Sequence, residues 1–210
     1  MSNPSPNITL LGGRLAIDFA NFPSLPASAQ SSGLNWTELV RFLQATRIVS
    51  SERAEQLLDL TDSDPISAGD LLVRAARLRD SLRLVFAAMA EKDRILSEWV
   101  VPINQVLRVT EGHDELVENG RAWHLQYVAR EDGLDWLLAA IARSAAELIT
   151  EGDAADVRLC ANSACSLFFL DNSRTHRRRW CSMALCGNRH KVAAFARRHS
   201  LKKRASAARA

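Results

Sequence analysis

The sequence predicts a mainly α-helical N-terminal domain carrying a small β-hairpin, followed by a small α+β module built around its cysteines. Three observations predict it. Apolar residues recur at helical spacing through most of the first 150 residues, interrupted by one alternating stretch. All four cysteines of the 210-residue chain lie in its C-terminal quarter, as Cys160-x4-Cys165-x15-Cys181-x4-Cys186. Charge divides at the same place: Arg158 to Ala210 holds 13 Lys and Arg against one acid, Asp171, a net +12, while residues 1–157 carry −9. A split of this kind assigns a polyanionic partner to the basic part and a different task to the acidic part.

The N-terminal elements follow in order. After Gly12-Gly13, the residues Leu15, Ile17, Phe19 and Phe22 form a short apolar stretch that fits a helix or a strand equally well. Asn35 is an N-cap with Glu38 at the capping-box position, opening a helix to about Arg47 whose face is Trp36, Leu39, Val40 and Leu43. Ser50 or Ser51 opens a second helix with Ala54, Leu57 and Leu58. Asp64-Pro65 starts the longest one, with proline at a tolerated first position and a stripe of Leu71, Leu72, Ala75, Leu78, Leu82, Val85, Phe86 and Met89. A helix over 95–107 follows, kinked or split by Pro102.

The period then changes. Trp123, Leu125 and Tyr127 alternate with His124, Gln126 and Val128, which predicts a half-buried strand over 121–130. Its partner is 105–110 or 114–118, with Asn119-Gly120 as a two-residue turn. A last helix runs from Leu134 to Thr150 with Leu137, Leu138, Ile141, Ala145 and Leu148 inward, and Gly152 ends it. No phosphate-binding loop, dinucleotide fingerprint or nucleophile elbow occurs here. His113, among Glu111, Asp114 and Glu115, reads as part of a solvated acidic loop, and His124 as an outward strand position. Arg14, Asp18 and Asn21 form a polar trio, either the lining of a small-molecule pocket or, more simply, a cap or buried hydrogen-bond network.

Two cysteine pairs across a spacer can close four thiolates around one ion, which points to a single structural Zn2+ on Cys160, Cys165, Cys181 and Cys186. Packing cysteines would not gather in two equal pairs, and no secretory signal at the start argues for disulfides. Cys160–Cys165 is a knuckle of small residues, Leu167–Leu170 a strand, Asp171-Asn172-Ser173 a turn, and Arg177–Trp180 the expected return strand. Ser182 caps a helix reaching about His199, with Cys186 in its first turn. Knuckle, hairpin and helix make a treble-clef-like layout. On the helix, Val192, Phe195, Ala196 and His199 form a stripe expected to pack against the hairpin and the metal core. Arg174, Arg177, Arg178 and Arg179 on the hairpin, with Arg189, Lys191, Arg197 and Arg198 on the helix, form a basic surface suited to phosphates.

The string Arg178-Arg179-Trp180-Cys181-Ser182-Met183, continuing to Cys186-Gly187-Asn188-Arg189, resembles the CGNR zinc finger over about residues 157–199. Leu11-Gly12-Gly13-Arg14-Leu15-Ala16-Ile17-Asp18-Phe19-Ala20-Asn21 looks like the opening of the ABATE domain that precedes such fingers. The resemblance implies a bacterial stress-responsive transcription regulator in the cytoplasm, at the nucleoid. It makes the four cysteines the zinc ligands and Arg189 and Lys191 contacts to DNA. The expected organisation is an ABATE-like helical domain over 1–154, a four-cysteine zinc finger over 155–200 and a flexible basic tail over 201–210.

DNA is therefore the first candidate partner, with the helical domain dimerising or binding a small-molecule effector. An RNA- or ribosome-associated module is the second candidate, and a thiol–zinc redox switch the third. A zinc enzyme fits worst, since four cysteines leave no open coordination position. No apolar run is long enough to span a membrane. Opposite charge on one chain also predicts that the acidic domain holds the basic finger back.

Overall fold

The computed structural model describes residues 8–22, 34–109, 112–119, 122–129, 134–193 and 195–196. It is mostly helical with small antiparallel hairpins. The helices are α1 (Leu15–Asn21), α2 (Trp36–Ala45), α3 (Ser51–Leu58), the single turn α4 (Leu60–Ser63), α5 (Pro65–Glu91), α6 (Ser97–Val109) and α7 (Trp136–Glu151). Among the described residues the strands β1 (Gly112–Asn119), β2 (Ala122–Ala129), β3 (Val157–Leu159) and β4 (Phe168–Leu170) form two antiparallel pairs.

The stretch left open between helix and strand is the helix α1, with Ala16, Ile17, Phe19 and Ala20 buried. Asn35 and Glu38 form the complete capping box of α2. Ser50 caps α3, and its Oγ accepts from the Arg53 N–H at 3.1 Å. Asp64 caps α5, accepting from the Ser67 N–H at 3.1 Å, with Pro65 at the first position. A cap satisfies amides that the helix itself cannot, and so fixes where each helix begins. The α6 helix passes through Pro102 without being split. The hairpin partner is β1 in the register Asn119↔Ala122, so Asn119 belongs to the strand rather than to the expected turn, and Gly120 lies outside the described residues. His113 lies on β1 rather than in a loop, and 105–109 belongs to α6. The side chains of His113 and His124 lie outside the described residues.

The α5 helix is the axis of the domain, at about 1.5 Å per residue some 40 Å long. It packs against α1, α2, α4, α6, α7 and β3. Leu71, Ala75, Leu78, Leu82, Val85 and Phe86 are fully buried along it, as their spacing requires, and Leu72 and Met89 border the core. Phe19 and Phe42 meet with ring centroids 5.2 Å apart, and the Trp36 indole N–H donates to the Leu57 carbonyl at 2.6 Å, tying α2 to α3.

This core extends past the end of α7. Gly152, at φ 56°, turns the chain out of the helix, and Ala155, Val157 and Phe168 then join the same cluster. Strand alternation sends Phe168 to the helical core and Phe169 to a second cluster with Cys160, Cys181 and Cys186. The expected return strand 177–180 is not a strand. The partner of β4 lies upstream, in the register Val157↔Leu170, Arg158↔Phe169 and Leu159↔Phe168. Asp171 accounts for the difference: its carboxylate captures the Ser173 and Arg178 amides and holds the intervening segment as a loop.

The α1 segment clasps this ribbon. Asn21 Nδ2 donates to the Phe168 carbonyl at 2.8 Å, and Asn21 Oδ1 accepts from the Phe168 N–H at 2.8 Å, as a neighbouring strand would. The Leu170 N–H donates to the Gly12 carbonyl at 2.8 Å. Gly12 cannot be replaced cheaply, because a Cβ there would stand 2.9 Å from the Asp18 backbone nitrogen and 2.7 Å from Ile17 Cγ2. Asn21→Ala strips partners from two buried backbone groups and should lower stability by about 2–4 kcal/mol, read as a reduced urea midpoint at unchanged m.

Candidate metal centre and basic surface

The four cysteines converge. Cys160 closes β3, and its N–H donates to the Leu167 carbonyl at 3.0 Å, prolonging the β3–β4 ladder. The knuckle turns at Asn162, whose carbonyl accepts from the Cys165 N–H at 2.8 Å and whose Oδ1 accepts from the Ala164 N–H at 3.2 Å. Ser182 caps the last helical element: its Oγ accepts from the Leu185 N–H at 3.4 Å, and its carbonyl accepts from both the Cys186 and Gly187 N–H groups at 3.0 Å. This makes Met183–Gly187 a wide π-type turn, with Cys186 buried inside it.

All four Sγ atoms lie within 4.8 Å of one another. The Cys165–Cys181 and Cys181–Cys186 separations are 3.8 and 3.7 Å, too long for disulfides and matching the edges, about 3.8 Å, of a sulfur tetrahedron with Zn–S near 2.3 Å. The donor set therefore fits one structural zinc ion, held by Cys160, Cys165, Cys181 and Cys186. Burial, with the neighbouring thiols adding to it, pushes the Cys165 thiol up to about 11 and that of Cys181 further. At Cys186 burial acts the same way, but hydrogen bonds from Asn162 and the other thiols outweigh it and lower the pKa. Asn162 Nδ2 stands 3.4 Å from the Cys186 sulfur, the kind of outer partner that orients a ligating thiolate.

The polar trio divides into structural tasks. Asp18 accepts from the Gly12 N–H at 2.7 Å; burial raises its pKa, opposed by the Gly12 and Leu11 amides. Arg14 donates to Glu151 at 2.8 Å, and Asn21 belongs to the ribbon clasp. The contacts of the three are separate: Asp18 with Gly12, Arg14 with Glu151 and Asn21 with Phe168.

Asp171, the single acid of the basic region, is buried. Its Oδ1 accepts from the Ser173 N–H at 3.0 Å and Ser173 Oγ at 2.6 Å, its Oδ2 from the Arg178 N–H at 2.7 Å, and Arg158 Nε lies 3.5 Å away. Burial raises its pKa, yet these donors and the Arg158 charge prevail and hold it below the usual carboxylate range. Arg158 is also bidentate to Asp156, at 2.9 Å for both bonds.

The arginines sort into two kinds. Arg178 lies over the Phe169 ring at 4.6 Å and donates to the carbonyls of Trp180 (2.9 Å), Leu170 (3.4 Å) and Cys181. Its guanidinium is a clamp inside the finger. Arg174, Arg177, Arg179, Arg189 and Lys191 are exposed, and none is ion-paired to a carboxylate of the helical domain among the described residues. The expected holding of the finger by acidic side chains has no contact to support it among these residues. Arg197, Arg198, His199 and the 201–210 tail lie outside the described residues.

The helix after Cys186 differs from expectation. Val192 (68 %) and Phe195 (58 %) face outward instead of packing on the metal core. One additional residue in the wide turn rotates all later positions by roughly 100°. The inward contact is made instead by His190, whose ring lies 4.7 Å from that of Trp180. Sequence periodicity cannot reveal this shift, because nothing in the residues of Met183–Gly187 distinguishes a π-type turn from an α-type one.

Four clustered thiolates on a ribbon and a helix start, docked on a helical core, define a zinc-finger protein. Two family profiles agree: one described as "CGNR zinc finger" matches residues 157–199, and the ABATE profile, described as "Putative stress-induced transcription regulator", matches residues 13–152. The chain belongs to the ABATE family and carries a CGNR finger after that domain. No curated protein matches it.

Metal analysis of the purified chain should return one zinc per molecule. Chelation should lower the melting temperature of the helical domain as well, because the ribbon that carries Phe169 to the metal also carries Phe168 to the helical core. Zinc binding must displace the protons that the raised pKa values keep on Cys165 and Cys181, so it should release acid and weaken as pH falls, read by competition with a chromophoric chelator at several pH values. Asp171→Asn should cost about 1–3 kcal/mol near neutral pH. Because the native carboxyl titrates below its unfolded value, its contribution is present above about pH 4 and is lost as pH falls through the lower folded value; the variant's deficit should shrink there.

Proposed function

We propose that this chain is a DNA-binding transcription regulator in the cytoplasm, its finger docking on duplex DNA through Arg174, Arg177, Arg179, Arg189 and Lys191. Arg197 and Arg198 continue the same run. The observation that carries this reading is the division of basic residues. Arg158 and Arg178 are engaged within the finger, whereas five others stand exposed on a metal-fixed frame without carboxylate partners among the described residues. Such a surface neutralises phosphates and releases their counterions. The metal is structural in this reading: it holds the frame, and catalysis is not its task.

The helical domain, taken as residues 1–154, dimerises or responds to an effector. A cleft of about 1170 Å³ between the end of α5, the 152–156 connection and the finger gives an effector a place to act. Glu91, Lys92, Asp93, His176 and Arg179 line it, so an occupant there touches both domains. Stress response is the physiological setting consistent with the family description.

Binding of labelled duplex by zinc-loaded protein should weaken steeply with salt. Arg177→Ala, Arg179→Ala and Arg189→Ala should each weaken binding and reduce the salt slope by about 1. Arg178→Ala should instead loosen zinc and lower stability. Duplex binding insensitive to salt and to the three exposed substitutions would refute the reading. Structured RNA that outcompetes the duplex would move it to the RNA-associated alternative.

A further inference from the structure

The loop after β4 contains a turn in which the Ser173 carbonyl accepts from the His176 N–H at 3.1 Å. Arg174 and Thr175 stand at its tip, and Arg177 follows directly. His176 has φ 47°, in the left-handed region that glycine enters freely and a residue with a side chain does not. Arg47 and Lys92 share that region, but each follows the end of a helix, where it is an ordinary way to stop one. His176 follows no helix among the described residues, so its conformation has another cause.

Two contacts supply it. The His176 carbonyl accepts from Arg158 Nη2 at 2.6 Å, and its ring Nδ1 lies 3.2 Å from Asp156 Oδ2. Asp156 and Arg158 are themselves joined by two bonds of 2.9 Å, so the three residues form one latch. The Arg158 hydrogen bond, with His176 adding to it, holds the Asp156 carboxyl below the usual carboxylate range against the cost of burial. Asp156 is seated by the helical domain, because Ala155 and Val157 on either side of it are buried in the helical core. Its carbonyl also accepts from the Asp171 N–H at 2.8 Å, where the loop begins. The latch therefore ties the turn that carries Arg174 and Arg177 to the helical core. Both arginines are exposed and have no ion-pair partner among the described residues. A cation on a loose loop loses conformational freedom when it meets a phosphate, and a fixed turn reduces that loss.

We propose that His176 is a positioning residue for DNA binding. Asp156 and Arg158 fix its left-handed conformation, and that conformation presents Arg174 and Arg177 to phosphates. The proposal rests on the DNA-binding reading above and adds to it how the helical core sets two of the arginines.

The test follows duplex binding by the zinc-loaded full-length protein across a salt series. His176→Gly removes the ring that Asp156 holds and frees the backbone to leave the left-handed region without forbidding it. Binding should weaken and the salt slope fall by about 1 to 2, the share of two phosphate contacts. His176→Asn should recover most of both, since asparagine tolerates the left-handed region and offers an amide donor to Asp156. In a protein already carrying Arg174→Ala and Arg177→Ala, His176→Gly should change the slope no further, because a positioning residue acts through the groups it positions. Unchanged zinc content and melting temperature check that each variant is folded. A native slope in His176→Gly, or its full loss added on top of the two arginine substitutions, would overturn this inference and leave the DNA-binding reading intact. A native protein without salt-dependent duplex binding would remove both.

Discussion

The β3–β4 ribbon is a wall shared by two cores. Phe168 closes the helical core on one side and Phe169 closes the thiolate cluster on the other, because successive strand residues point to opposite faces. A ribbon of three residues per strand cannot hold this position by itself. Asn21 supplies the missing strand edge by satisfying both backbone groups of Phe168, and Gly12 does the same for the Leu170 amide. The GGRLAIDFAN segment and the finger are therefore two halves of one joint. Arg83, 5.5 Å from the centre of the Phe168 ring and bonded to the Ala20 carbonyl at 3.0 Å, braces the same place from α5.

A finger of some forty residues buries too little apolar surface to fold on that basis alone. Here it draws on three sources: the metal tetrahedron, the helical core behind the ribbon, and a polar lock around Asp171. A buried carboxylate is costly unless its lone pairs are filled, and the Ser173 and Arg178 amides with the Ser173 hydroxyl fill them. That lock sets the loop from which Arg174, Arg177 and Arg179 project. The sole acid of the basic region thus positions the bases around it and subtracts little from the field they present to solvent.

Legibility in the sequence followed the range of the interaction. Caps at Asn35, Ser50 and Asp64, the helix stop at Gly152 and the convergence of four cysteines depend on residues close in sequence or on the small menu of metal geometries. The choice of Val157–Leu159 over 177–180 as the partner of β4 was not legible in this way, since both segments can pair and it is long-range bonds, the Asp171 carboxylate to the Arg178 amide among them, that hold the second as a loop. Arg178 and Arg179 are adjacent and chemically identical, yet one lies over Phe169 inside the finger and the other over the Trp180 ring at its surface.

The sequence by itself determined a mainly helical domain, a four-cysteine zinc site and a basic C-terminal region, because helical periodicity, ligand spacing and charge are written in the chain. Only the tertiary structure decided which arginines are structural, how the ribbon joins the two cores and which way Val192 and Phe195 face. Those outcomes turn on the π-type turn at Met183–Gly187, on the Asp171 lock that places Arg178 over Phe169, and on the hydrogen bonds from Asn21 to Phe168 and from Leu170 to Gly12, whose partners no local pattern names.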